Sequence, residues 1–178
     1  MKKIAVILFL APFFVCTAFS QTSQKVTSSA VTFKIKNLGI NTEGSFGGFK
    51  ATIIFDKEPL ESSSIEASVD TRTINSDNEM RDDHLKKEAY FDVAHYPEIK
   101  MKSVALKHQK GENYTGDFDV TIKAKTKRIK LPFTYTENDS GNSFKGSFPI
   151  KRSDFDIGGK SMVLSDDALV TIAVETTK

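Results

Sequence analysis

Regular alternation of apolar and polar residues constrains this chain more than any other feature. In residues 31–36, for example, Val31, Phe33 and Ile35 alternate with threonine and lysine. Successive side chains of a β-strand point to opposite faces of a sheet, so each such stretch predicts a strand with one buried and one wet face. The pattern predicts eight strands, at residues 31–36, 49–55, 65–70, 98–106, 116–122, 128–135, 144–151 and 168–175.

Short clusters of turn-forming residues separate the predicted strands, which indicates an antiparallel meander that closes into a barrel or a sandwich. The polar faces carry lysine, aspartate, glutamate and threonine on nearly every strand. An eight-stranded barrel has no aqueous channel to hold so many charges. We therefore predict an all-β, eight-stranded antiparallel barrel that is apolar inside and polar outside.

The alternation cannot decide whether the barrel is packed or hollow. The small residues on the inward register favour empty space, and they are Ala51, Ala67, Gly116, Gly146 and Ala168. Either a filled core or a cavity for a long apolar ligand is compatible with this pattern.

One segment, residues 75–101, does not alternate. Residues 79–88 contain no glycine, proline or β-branched residue, which favours a short helix capped by Asp77 or Asn78. The helix falls between the third and fourth predicted strands, where it could plug one mouth of the barrel. Met80, Leu85 and His84 would share one face of this helix, with Arg81 beside them, and we expect the barrel mouth to bury its aliphatic side chains.

The polar residues of this helix allow three interpretations. Arg81 could pair with a carboxylate and tie the helix to the barrel rim, or Arg81 and His84 could contact a ligand head group. Asp82, Asp83 and His84 could bind a metal, but consecutive helical residues point about 100° apart and do not converge. We predict no metal site and favour the first interpretation.

The first twenty residues have the pattern of a cleaved secretory signal peptide. Lys2 and Lys3 precede an apolar run, and small residues stand before the expected cleavage after Ser20. Lipidation at Cys16 is disfavoured because bulky residues precede that cysteine. Residues 21–178 would form a single domain that is periplasmic or secreted. Loss of Lys2 and Lys3 lowers the formal net charge from +2 to 0, which argues against a nucleic-acid partner.

No catalytic motif is evident. The mature chain would have no cysteine, no G-x-S-x-G sequence and no glycine-rich phosphate loop before a helix. We predict that the protein is not an enzyme and has no resident cofactor.

One dense run of basic residues marks the turn between the fifth and sixth predicted strands. The run consists of Lys123, Lys125, Lys127, Arg128 and Lys130. Such charges can keep a hairpin soluble and unable to pair edge to edge, or they can contact an anionic membrane surface transiently. The oligomeric state is not indicated by the sequence.

Several motifs, in order and spacing, resemble the YceI family of lipocalin-like, polyisoprenoid-binding proteins. The resemblance covers roughly residues 25–176 and is carried by Val31-Thr32-Phe33, Lys36-Asn37-Leu38-Gly39, Gly44 to Phe49, Arg81-Asp-Asp-His-Leu85, Tyr90-Phe-Asp92, Tyr96-Pro-Glu-Ile99, Gly116 to Ile122 and Ile150 to Phe155. The chain departs from the family pattern at Lys123-Ala124-Lys125, where a small residue or glycine is expected, and at Asp156, where glycine is usual.

This resemblance implies an eight-stranded lipocalin-like barrel that holds a long-chain polyisoprenoid, such as an isoprenoid quinone or a similar amphiphilic lipid, in an apolar lumen. The expected lumen wall consists of Phe33, Ile35, Phe46, Phe49, Ile53, Phe55, Val69, Leu85, Phe91, Ile99, Met101, Phe118, Val120, Ile122, Phe133, Phe148, Ile150, Val170 and Ile172. The alternative function is a structural or stress-related envelope barrel with a packed core and no ligand.

Overall fold

A single curled antiparallel sheet dominates the structure, a computed structural model that describes residues 23–178. Its nine strands are β1 (Val26–Asn37), β2 (Ile40–Phe46), β3 (Lys50–Ile54), β4 (Ser64–Asp70), β5 (Glu98–Lys110), β6 (Asn113–Ile122), β7 (Lys125–Asn138), β8 (Gly141–Lys151) and β9 (Leu164–Thr176). The strand order in the sheet is β2-β1-β9-β8-β7-β6-β5-β4-β3. The predicted signal peptide and Cys16 lie outside the described residues.

Hydrogen bonds tie each edge strand of the sheet to a segment that comes from the opposite side of the barrel. The Gln24 N–H, just before β1, donates to the Ile53 carbonyl oxygen of β3 at 2.8 Å. Ser45 of β2 exchanges backbone bonds with Asn75 in the connection after β4, at 2.8 and 3.0 Å. These contacts curl the sheet so that its apolar face encloses the interior.

The predicted all-β antiparallel class is confirmed, but the number of strands is nine instead of eight. The additional strand, β2, pairs with β1 from Val31↔Phe46 to Asn37↔Ile40. Thr42 and Gly44 occupy inward positions in β2, so this strand shows no apolar alternation. The helix consequently lies between the fourth and fifth strands and not between the third and fourth.

The helix, α1 (Glu79–Leu85), begins at the predicted residue and ends three residues before the predicted 88. Asn78 is the cap, and its Oδ1 accepts a bond from the Arg81 N–H at 2.9 Å. Leu85 is partly buried, but Met80 is 85% exposed, so the expectation that Met80 is buried is wrong. Within residues 23–178, none of the helices is long enough or apolar enough to cross a bilayer.

An aromatic cluster fills one end of the barrel. Its buried members are Phe55, Tyr114, Phe133, Tyr135 and Phe144. Phe55 and Tyr135 have ring centroids 4.5 Å apart, and Tyr135 and Phe144 are 4.8 Å apart. Such contacts between aromatic rings add to the free energy gained by burial.

The hydroxyl group of Tyr135 also finds a hydrogen-bond partner at this end of the barrel. The hydroxyl donates to Glu137 at 2.7 Å, and Glu137 pairs with Lys57 at 2.7 Å. Burial, together with the bond to Glu137, raises the pKa of Tyr135 above its usual range, so the hydroxyl remains a donor at physiological pH.

The opposite end carries the turn between β1 and β2, the turn between β6 and β7, and the β8–β9 connection, residues 152–163. Antiparallel pairing places these three connections at the same end. Phe155 in the β8–β9 connection is completely buried, so this loop packs into the barrel interior.

Candidate ligand-binding cavity

An apolar cavity of about 180 Å³ lies at this second end of the barrel. Seven strands contribute to its wall, together with the helical segment, which is the connection between β4 and β5, residues 71–97, and contains α1. The predicted wall residues that line it are Phe33, Ile35, Phe46, Phe49, Val69, Leu85, Phe91, Ile99, Met101, Val120, Ile122, Phe148, Ile150, Val170 and Ile172. A smaller apolar cavity of about 60 Å³ lies toward the aromatic end and is lined in part by Phe133, Phe144 and Gly146. The interior is therefore more open at the second end than at the aromatic end.

Four residues predicted for the lumen wall do not line this cavity: Ile53, Phe55, Phe118 and Phe133. All four are buried, and three of them pack in the aromatic end while Phe118 packs in the core beside the cavity. The alternation predicts which face of the sheet a side chain lies on, but not its position along the barrel axis. These four residues point inward but lie at a different position along the axis from the cavity.

Four of the five small inward residues fall into two groups, and the fifth, Ala51, packs against the aromatic cluster. Ala67 and Ala168 line the cavity, so they leave space open. A Cβ at Gly116 would meet the Phe118 ring at 2.3 Å, and one at Gly146 would meet the Leu131 side chain at 2.9 Å. Neighbouring atoms thus leave no room for a Cβ at these two glycines.

Several lining residues were missed by the sequence analysis. Tyr90, Ile157 and Leu164 lie in irregular segments or at a strand start, where no period of two identifies the inward face. Arg152 was missed because a charged residue is usually placed on the surface.

Arg81 reaches the cavity from the helix and bonds to Ser76. Its Nε donates to Ser76 Oγ at 2.7 Å, and its Nη2 donates to the Ser76 carbonyl oxygen. The buried Asp82 carboxylate accepts the Ser76 N–H at 2.9 Å and the Ser76 hydroxyl. Among residues 23–178, no carboxylate lies within 4.0 Å of the Arg81 guanidinium, in contrast to the pairing we expected. His84 is exposed beside Tyr90 and does not line the cavity.

Arg152 is the second guanidinium at the cavity and is only 5% exposed. Its Nε donates to the Ser165 carbonyl oxygen at 2.9 Å and its Nη1 to that of Ile157 at 2.8 Å. Further bonds reach the carbonyl oxygens of Gly159 and, at 3.3 Å, Leu164. Arg152 therefore satisfies the backbone of the β8–β9 connection and holds it against the barrel.

The predicted membrane-contact residues of the β6–β7 turn mostly bond within the protein. These bonds join Lys123 to the Glu88 carbonyl at 3.0 Å, Lys125 to Asp156 at 2.5 Å, Lys127 to Asp154 at 3.5 Å and Arg128 to Asp119 at 2.6 Å. The first three tie the turn to the helical segment and to the β8–β9 connection, and the last joins β7 to β6. In the part of the chain described here, no three His, Cys, Asp or Glu side chains cluster to hold a metal ion.

The pair formed by Asp92 and His95 gives the helical segment a pH-dependent contact. His95 Nδ1 lies 2.8 Å from Asp92 Oδ1, and this hydrogen bond raises the pKa of His95 above its ordinary 6.5. A raised folded-state pKa means that the stabilisation is complete below about 6.5 and is lost as pH rises through the folded value.

We expect Asp92→Asn to shift the His95 titration to lower pH, because the amide carries no charge to stabilise the imidazolium. The measurement is an NMR titration of His95 in both proteins between pH 5 and 9. Identical titrations in the two proteins would contradict the assigned pair. Resonances outside residues 92–96 serve as the control for an unchanged fold.

A curled antiparallel sheet around an apolar cavity, with a short helix at its border, defines a lipocalin-like barrel. Residues 23–176 match the family described as YceI-like domain. The chain belongs to this family, as the resemblance in its sequence motifs predicted.

Relatives and solved structures agree with this assignment. A UPF0312 protein of Pseudomonas savastanoi pv. phaseolicola is 32% identical over 140 residues, covering 72% of this chain and 71% of that protein. The crystal structure of BcnA from Burkholderia cenocepacia has a TM-score of 0.80 at 27% identity and covers 84% of this chain and 96% of that one. A polyisoprenoid binding domain from Saccharophagus degradans has a TM-score of 0.67, with coverages of 87% and 97%. At 11% identity, the last comparison concerns the fold alone.

Proposed function

We propose that this protein binds the tail of a long-chain polyisoprenoid, such as an isoprenoid quinone or a similar amphiphilic lipid, in the cavity between β1, β9 and the helical segment. The cavity carries this proposal, because its wall is almost entirely apolar and it lies inside a barrel whose other end is closed. The Saccharophagus neighbour, described as a polyisoprenoid binding domain, supports the choice of ligand class.

Affinity for such a tail would come from burial. Each buried CH₂ contributes about 0.8 kcal/mol, so ten such groups contribute about 8 kcal/mol before the costs of association. Because the cavity wall is almost entirely apolar, selection among tails would depend mainly on their length and bulk.

The cavity must expand to hold a long tail. Its volume of about 180 Å³ is smaller than the roughly 300–1,000 Å³ of pockets that enclose drug-sized ligands. Phe33, Phe46 and Phe91 line it in a row, with ring centroids 5.6 and 5.3 Å apart, and all three are only partly buried. Rotation of these rings is the expected route to a larger cavity.

Arg81 is our candidate for the head-group contact. Its side chain borders the cavity and is held by Ser76, with no carboxylate neutralising it directly. A guanidinium in this setting can donate to a phosphate, carboxylate or quinone oxygen. His84 is a weaker candidate, because it is exposed outside the cavity wall.

The proposed role is that of a carrier and not of an enzyme, with the bound lipid as cargo. The signal-peptide pattern of residues 1–20 supports a periplasmic or secreted location. The protein would then hold an apolar molecule in an aqueous compartment of the envelope.

Mass spectrometry of the protein purified from a bacterial host tests this proposal. Native spectra would show any bound mass, and an organic extract would identify the lipid. We expect a stoichiometric isoprenoid or similar amphiphile. Protein that is free of lipid, and that also fails to take up added polyprenyl lipids, would refute the proposal and leave the ligand-free structural barrel as the better account.

A further inference from the structure

Two loops at the cavity end expose a group of apolar side chains that folding does not explain. Leu38 and Ile40, in the β1–β2 hairpin, are each 71% exposed. Met162 in the β8–β9 connection is fully exposed, and Val163 beside it is half exposed. The Leu38 N–H donates to the Val163 carbonyl oxygen at 2.8 Å, so these four residues form one surface, the apolar tip.

The apolar tip borders the cavity. Asn37 precedes Leu38, and Leu164 follows Val163; these two residues pair in the β1–β9 ladder, and both line the cavity. A molecule that entered the cavity beside Asn37 and Leu164 would therefore pass the apolar tip.

The backbone of the tip is constrained to present these side chains. Leu38 has φ +51°, a left-handed conformation that asparagine and glycine adopt more easily than leucine. Ser161 Oγ accepts the N–H groups of Val163 at 3.2 Å and Leu164 at 3.0 Å, which fixes the turn around Met162. An exposed leucine in a strained position gains nothing for folding, and exposed apolar groups gathered in this way mark interaction surfaces.

The charges around the tip favour an anionic lipid surface. Lys36 and Lys160 flank the tip and are exposed, and neither has a carboxylate within 4.0 Å among residues 23–178. The lysines of the β6–β7 turn differ, since Lys125 and Lys127 are paired with Asp156 and Asp154. Apolar side chains flanked by exposed lysines have the composition of segments that bind membrane interfaces.

We propose that the apolar tip inserts into the surface of a bilayer containing anionic phospholipids and brings the cavity entrance against the membrane. This inference rests on the proposed function, because a lipid carrier must exchange its cargo with a membrane. It assigns the docking role to Leu38, Ile40, Met162 and Val163, assisted by Lys36 and Lys160.

Co-sedimentation with lipid vesicles tests the proposal, using the protein without the predicted signal peptide, residues 21–178. The vesicles are phosphatidylcholine alone or a three-to-one mixture of phosphatidylcholine and phosphatidylglycerol. We expect binding to the mixed vesicles, reduced at least about tenfold by Leu38→Asn combined with Met162→Gln, because both changes remove apolar surface that would insert. Asparagine suits the backbone at position 38, so thermal stability should be retained.

Two further variants complete the design. Leu169→Asn removes an exposed leucine from the outer wall of β9 and should leave vesicle binding unchanged. Lys125→Gln with Lys127→Gln tests the β6–β7 turn and should have a small effect. Loss of binding in the lysine variant with retention in the tip variant would overturn the proposal.

The other outcomes also decide the matter. Wild-type protein that does not bind either vesicle, or a tip variant that binds like wild type, would overturn it. A wild-type dimer that the tip variant dissociates, without any vesicle binding, would reassign the tip to a contact between copies. Uptake of a fluorescent farnesyl lipid from solution, measured without vesicles, tests the cavity separately and should be normal in the tip variant.

Discussion

Replacing Arg152 with methionine is expected to lower the free energy of unfolding by about 3–5 kcal/mol, measured by urea denaturation monitored by circular dichroism. The guanidinium is buried and donates to four carbonyl oxygens of the chain between Ile157 and Ser165. Methionine fills a similar volume but donates no hydrogen bond, so the buried Ile157 carbonyl and three partly buried carbonyls lose their partner. Each buried unsatisfied group costs about 1–3 kcal/mol, and partial hydration of the loop offsets some of the total.

Two variants distinguish this role from a general effect of lost charge. Arg128→Met removes a guanidinium that bonds to Asp119 on the exposed wall of the barrel, and its effect should be much smaller. Arg152→Lys keeps the charge but has only three donors on a narrower group, so its stability should lie between those of wild type and Arg152→Met. Equal denaturation midpoints for Arg152→Met and wild type would contradict the assigned role.

The second large effect concerns the cavity. Ala168→Phe should weaken binding of a fluorescent farnesyl lipid by at least about 50-fold, which is the loss expected when a ring displaces three methylene groups from the wall. Ala168 lies between Ile35 and Ile150 in the ladders, and all three residues line the cavity. The added ring would point into the empty volume and occupy it.

Ala173→Phe is the matched control on the same strand. Ala173 pairs with Ala30 and Lys145, both exposed, and lies on the outer face of β9. Its phenyl ring would enter solvent and should leave lipid binding unchanged. Fluorescence titration measures both variants, and unfolding curves check that each is folded. Wild-type affinity in folded Ala168→Phe would show that the lipid binds elsewhere.

The strands with alternating apolar residues could be predicted from the sequence. Burial of one face of a strand requires an apolar residue at every second position. Strand β2 could not, since its inward positions hold Thr42 and Gly44, and its pairing with β1 is fixed by the hairpin at Leu38 and Gly39. A Cβ at Gly44 would lie 2.4 Å from the Phe33 ring, so this glycine is explained by a contact that only the folded chain reveals.

The candidate site was predictable to the extent that it is built from strands. Residues such as Ile35 and Val170 follow from register alone, and the helix with Arg81 follows from composition and capping. The β8–β9 connection was not predictable, because Arg152 acts through carbonyl groups, which every residue has. The location of the cavity at one end of the barrel could not be predicted either. It depends on where the aromatic rings pack in three dimensions, which the alternation of residues does not indicate.

The aromatic cluster at the far end of the barrel would limit the length of the lipid tail that the cavity accepts. A channel open at both ends can hold a chain of any length, but this cavity opens at one end only, and the aromatic cluster with Phe133 and Phe144 closes the barrel beyond its inner end. The tail of a lipid would enter the cavity before its head group and leave after it, so the head group would always lie nearest the opening. The depth of the cavity would then limit the length of tail that can be buried. A longer tail would leave its additional units in contact with water.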